Sequence, residues 1–229
     1  MMLSVDMAEG LKIIIIALLS YIPTVTLAGW FEAWVASKCD DQVPQDLGFL
    51  TLHPLAHFNV IGFSVLLIGQ LFGNYITFFK DFPGWGRYIP LNPSALDTKK
   101  AALEFSARGI AHLVMMFTSF CMIMFFLKIN SVSLDGTVSV NSFNSAFIQS
   151  IFSVIVFFYH QNFMLCVIYL VIALFRILLF KYFPAIHMFT PKNILLAFAL
   201  LATIIIVGST VLNYFLTSVM AQLSRMLLL

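Results

Sequence analysis

Between residues 146 and 180 the chain carries one formal charge, Arg176, in an otherwise apolar run. That run is longer than the roughly 20 residues one membrane crossing needs. Comparable runs lie at about 11–36, 60–79, 108–127 and 194–220. The 229 residues are 61% hydrophobic and 10% charged, against roughly 25% charge in a soluble domain. So few charges cannot cover a water-facing surface. A soluble enzyme, a nucleic-acid binder, a disordered chain and a secreted disulfide scaffold are all disfavoured. A transmembrane β-barrel is disfavoured too, because its strands alternate polar and apolar residues. The expected fold is an all-α integral membrane protein of five or six transmembrane or re-entrant segments, forming one multi-pass domain over residues 1–229.

The segment ends follow from punctuation. The first run contains Pro23, expected to kink it, and ends at a polar loop of Lys38, Asp40, Asp41 and Asp46. Gly69 and Gly73 in the second run form a small-xxx-small spacing that favours close helix packing. Residues 80–107 are rich in Pro, Gly and charge and read as a polar connection. Five of the twelve Lys and Arg fall at 80–108, which places that side in the cytoplasm by the positive-inside bias. Tyr159-His160-Gln161-Asn162 interrupts the long run. The chain is expected either to form two segments there, 146–159 and 162–180, or to bend as one long helix.

Ionisable residues in membrane segments are costly and are candidates for function. Glu32, Arg108, His112, His160 and Arg176 fall in this group. Arg108 and His112 are four apart and share a helical face. The plain alternative is that Glu32, Arg108 and Arg176 snorkel to the interface or pair internally. Trp30 and Trp34 beside Glu32 fit an interfacial belt. His53 and His57 are also four apart, but Pro54 between them reads as a turn. Cys39, Cys121 and Cys166 fit no zinc spacing. No His-Glu-x-x-His, Gly-x-Ser-x-Gly or Gly-x-Gly-x-x-Gly motif is present.

Three stretches carry a resemblance. Ala33-Trp34-Val35-Ala36 leads to Leu50-Thr51-Leu52-His53-Pro54-Leu55-Ala56-His57-Phe58-Asn59, and then to Gly84-Trp85-Gly86-Arg87-Tyr88-Ile89-Pro90-Leu91-Asn92-Pro93. Over about 28–112 the chain resembles the site-2 protease family of intramembrane zinc metalloproteases, in its short bacterial form. That resemblance implies a bacterial inner-membrane location and a zinc cofactor. It also shows where this chain departs from the family. Ala28 stands where the first zinc-binding histidine would be, Gly29 where the general-base glutamate would be, and Glu32 where the second histidine would be. Ala173 is the best match for the aspartate ligand. Asn59 replaces an aspartate, and His112 an asparagine.

Zinc hydrolysis needs converging protein ligands and a base. With one carboxylate left, the resemblance implies a catalytically inactive relative with no catalytic residue and no bound cofactor. A buried Glu32–Arg176 ion pair is expected to fill the vacated zinc site. A weak metal site of Glu32, His57 and His112 is the rival expectation. His53, His57, Asn59, Arg108 and His112 form the candidate polar or partner surface, together with residues 47–62 and 80–107. The expected role is a module binding other transmembrane proteins, or a subunit of a membrane complex, with lipid around it and no nucleic acid. The alternatives are an active intramembrane protease with a non-standard metal site, and a transporter or channel component.

Overall fold

The computed structural model describes residues 7–72, 82–92, 97–129 and 145–182. The described residues form helices and irregular segments, with no strand among them. Three long helices dominate: α1 (Met7–Lys38), α5 (Thr98–Ile129) and α6 (Ala146–Tyr182). Between α1 and α5 lie α2 (Val43–Asp46), α3 (Pro54–His57) and α4 (Val60–Phe72). The expected span at 194–220 and residues 73–79 of the second run lie outside the described residues.

Among the described residues, three helices are long and apolar enough to cross a membrane: Gly10–Lys38, Thr98–Ile129 and Ala146–Tyr182. The chain is a helical membrane protein. At 1.5 Å per residue, the 32 residues of α1 extend about 48 Å, well beyond a hydrocarbon core of about 30 Å. The 13 residues of α4 extend only about 20 Å.

One boundary differs from the sequence expectation, and the choice left open at 159–162 is decided, both for local reasons. α5 begins at Thr98 rather than near residue 108. Asp97 caps it: Asp97 Oδ1 accepts from the Lys100 amide at 2.8 Å, satisfying one of the open donors of the first turn. α6 is one unbroken helix from Ala146 to Tyr182, so the chain does not divide at 159–162. The polar residues there bond inward. Gln161 Nε2 donates to the Pro83 carbonyl at 2.8 Å, and Asn162 Nδ2 donates to Phe158 O of its own helix at 2.9 Å. α1 likewise continues through Pro23.

α5 and α6 share the largest interface, and α1 packs on both. The short elements fold back along α1. Ala33 clusters with Phe49 and Ile89. Further along, the Tyr21 hydroxyl reaches the carbonyls of Trp85 at 2.6 Å and Asn59 at 3.0 Å. Tyr21 lies 17 residues before the end of α1, or about 26 Å along the helix. The start of α4 and the 84–87 turn therefore sit deep beside α1, not at its end. Glycine permits the close packing there. A Cβ on Gly62 would collide with the Trp85 backbone, and Gly84 holds φ +68° against Gly62.

Candidate functional site

The polar residues of α1 and α5 fall on facing stripes. On α5, Lys100, Glu104, Arg108 and His112 repeat every four residues and so share one face. On α1, Ser20, Thr24 and Glu32 lie on the matching repeat, with Ala28 between them and Ala36 after, and Asp40 follows two residues past the helix end in a left-handed turn at φ 74°. The helices meet in antiparallel register. Asp40 pairs with Lys100 at the exposed end. Eight residues further in along each segment, Glu32 of α1 pairs with Arg108 of α5.

Arg108 Nη2 is 2.6 Å from Glu32 Oε2, and each side chain is only 8% exposed. The guanidinium has further partners. Nη2 donates to Arg87 O at 3.1 Å, and Nη1 donates to the Tyr169 hydroxyl at 3.3 Å. Its carbon lies 5.2 Å from the Tyr169 ring centre. One turn deeper, the His112 ring stacks on the same tyrosine at 5.3 Å and 11°. Asn162 Nδ2 donates to Thr24 Oγ1 at 3.1 Å and to Phe158 O, which orients its amide. Asn162 Oδ1 is therefore the acceptor, and His112 Nδ1 donates to it at 2.9 Å. A cavity of about 10 Å³ lies between Ala28, Gly86, Arg108, His112 and Tyr169, close to the space of one water.

The structure separates the positions that the resemblance groups. Ala28 packs with Ala111 and Met115. Ala173 sits in a different apolar cluster, with Ala101 and Phe105. Gly29 is covered by the His57 ring, which occupies the place of any Cβ there. Glu32 is engaged by Arg108. The expected Glu32–Arg176 pair is not formed. Arg176 lies over the Phe105 ring at 4.2 Å, because α5 presents Arg108 directly to Glu32 while Arg176 lies beside Phe105 on the α5–α6 face.

The expected partner surface also divides. His57, Arg108 and His112 are buried, so they present no surface. His53 is exposed and precedes α3. Asn59 caps α4, its Oδ1 accepting from the Gly62 amide at 2.9 Å. His160 is half-buried on α6. His57 Nε2 lies 2.8 Å from Thr51 O, an acceptor, so Nε2 carries the proton and Nδ1 is left bare. Burial pushes the His57 pKa down, against the smaller upward effect of that bond.

These residues do not fit zinc. Zinc needs three or four His, Cys or carboxylate groups converging. Among the described residues no three such groups are close enough to hold a metal, and the Glu32, His57 and His112 set is not one. Glu104 lies in a charged stretch of the sequence that does not single it out, although its four-residue spacing from Lys100 and Arg108 places it on their face. It is fully buried, and neither carboxylate oxygen has a hydrogen-bond partner.

Comparisons with known protein families, with characterised proteins and with solved structures return no match to this chain.

Proposed function

We propose that this protein is a site-2-protease-like membrane module without peptidase chemistry of its own. It binds another transmembrane protein or serves as a subunit of a membrane complex, in a bacterial inner membrane. The observation that carries this reading is the Glu32–Arg108 pair at 2.6 Å. The one carboxylate retained near the resembled metal site is neutralised by a guanidinium, and Ala28 and Gly29 offer neither ligand nor base. The binding surface in this reading is the connection between α1 and α5. Leu47, Leu52, Leu55 and Tyr88 are each more than half exposed on the turns between α1 and α5.

The test is site-specific photocrosslinking in native membranes from Leu52, Leu55 and Tyr88, with Phe125 on the outer face of α5 as the control. One defined membrane protein crosslinked from the first three positions, but not from Phe125, supports the reading. Stoichiometric zinc in the purified protein, together with cleavage of a transmembrane substrate that Glu32→Ala abolishes, overturns it.

A further inference from the structure

The α1–α5 seam orders polar groups that are scattered in the sequence. The Asp40–Lys100 pair at its outer end is in water, with side chains 77% and 45% exposed. One turn inward is Glu104, 0% exposed with both oxygens unpartnered. The register explains the missing partner. Asp40, just past the end of α1, pairs with Lys100, and Glu32 pairs with Arg108; the α1 residue midway between them in sequence is Ala36, itself fully buried. An alanine methyl gives a carboxyl group nothing to bond.

The groups around Glu104 are committed elsewhere. Glu32 holds Arg108. Asp41 accepts from the Val43 amide at 3.0 Å and the Asn92 amide at 2.6 Å. Arg176, facing from α6, lies over Phe105. Cys39, just past the end of α1, is close enough to feel the Glu104 carboxyl. Arg108 is the next charge along α5. Among the described residues no three His, Cys or carboxylate groups come together to hold a metal. A lone buried carboxylate is costly to keep charged, and a proton removes that charge without needing further ligands.

We propose that Glu104 is a buried proton-binding site, loaded from the water at the Asp40–Lys100 end of the α1–α5 seam. A Glu104 carboxylate oxygen gains an O–H bond as hydronium loses one and becomes water, and the reverse step returns the proton to water. Two described features continue the seam inward, the Glu32–Arg108 pair and the His112–Asn162–Thr24 chain. The proposal does not depend on the protease-like reading, since it uses only the register of α1 and α5.

The test is infrared pH-difference spectroscopy on the full chain in lipid nanodiscs. The chain has three glutamates, Glu9, Glu32 and Glu104, so carbon-13 glutamate labelling resolves them from the aspartates. We expect a protonated-carboxyl band that titrates, shifts with the label, disappears in Glu104→Gln and persists in Glu32→Gln. If Glu104→Gln does not fold, Glu104→Asp serves instead, and the band must then lose its response to the glutamate label. A band unchanged in either Glu104 variant, or no label-sensitive titrating band in the native chain, overturns the proposal.

Discussion

Arg108 Nη2 and Glu32 Oε2 lie 2.6 Å apart between α5 and α1, each side chain 8% exposed. Arg108 is also held by Arg87 O and the Tyr169 hydroxyl. A buried pair need not stabilise relative to apolar residues of the same shape, but losing one partner strands the other as an uncompensated charge. We expect Glu32→Ala and Arg108→Ala each to destabilise by about 3–5 kcal/mol. Arg176→Ala, losing a cation–π contact with Phe105, should cost about 0.5–2 kcal/mol. Thermal unfolding in detergent orders the three. Equal losses for Arg108→Ala and Arg176→Ala would show that Glu32 has no preferred partner. The charge swap Glu32→Arg with Arg108→Glu should recover part of the loss.

Gly29 gives a second measurable contact. An added Cβ meets His57 Nδ1, at a ring held by Thr51 O and buried against Phe49. Overpacking of this kind typically costs 1–3 kcal/mol. We expect Gly29→Ala to destabilise by about that amount, and His57→Ala to open the space. A double-mutant cycle should therefore show a favourable coupling of at least about 0.5 kcal/mol. Simple additivity of the two changes would mean the contact is not formed.

The sequence shows some of this site and hides the rest for identifiable reasons. Glu32, Arg108 and His112 are recognisable as polar groups in apolar runs, and the four-residue spacing of the last two gives their common face. Pairing is not readable, because it depends on register between helices far apart in the chain. That register brings Glu32 to Arg108 and leaves Arg176 on Phe105. The unbroken α6 is hidden because Gln161 and Asn162 look like a helix break. Their bonds to Pro83, Thr24 and Phe158 come from tertiary packing and from the helix itself. The early start of α5 is foreshadowed by Asp97, a good N-cap, but the charges at 99–104 disguise it. Glu104 faces inward, and only the opposing helix shows that.

Tyr21 anchors the deep turns to α1. Its hydroxyl has one hydrogen and lies within reach of two backbone carbonyls, Trp85 O at 2.6 Å and Asn59 O at 3.0 Å. Tyr21→Phe leaves the ring packing with Phe58 and Phe63 intact but strands a buried carbonyl. The expected cost is about 1–3 kcal/mol. The loss should also be local: hydrogen exchange at residues 84–87 should speed up before that of α5 or α6. A uniform increase across the chain would show that Tyr21 supports the whole bundle rather than these turns.

His57 gives the pH dependence a sign. Burial lowers its pKa in the folded state, the Thr51 carbonyl opposes this, and the charge of Arg108 adds to it. In the unfolded chain the ring titrates near its ordinary value, about 6.5. Below that pH the unfolded state takes up a proton that the folded state refuses, so stability falls as pH falls. Above about pH 6.5 both states are neutral and the contribution is constant. His57→Gln keeps an amide donor for Thr51 O and removes the titration. Melting curves of the two proteins in detergent should run parallel above about pH 7 and converge as the pH is lowered towards 5, the native chain losing more. Curves that stay parallel throughout would show that the His57 pKa is not depressed by its burial against Gly29.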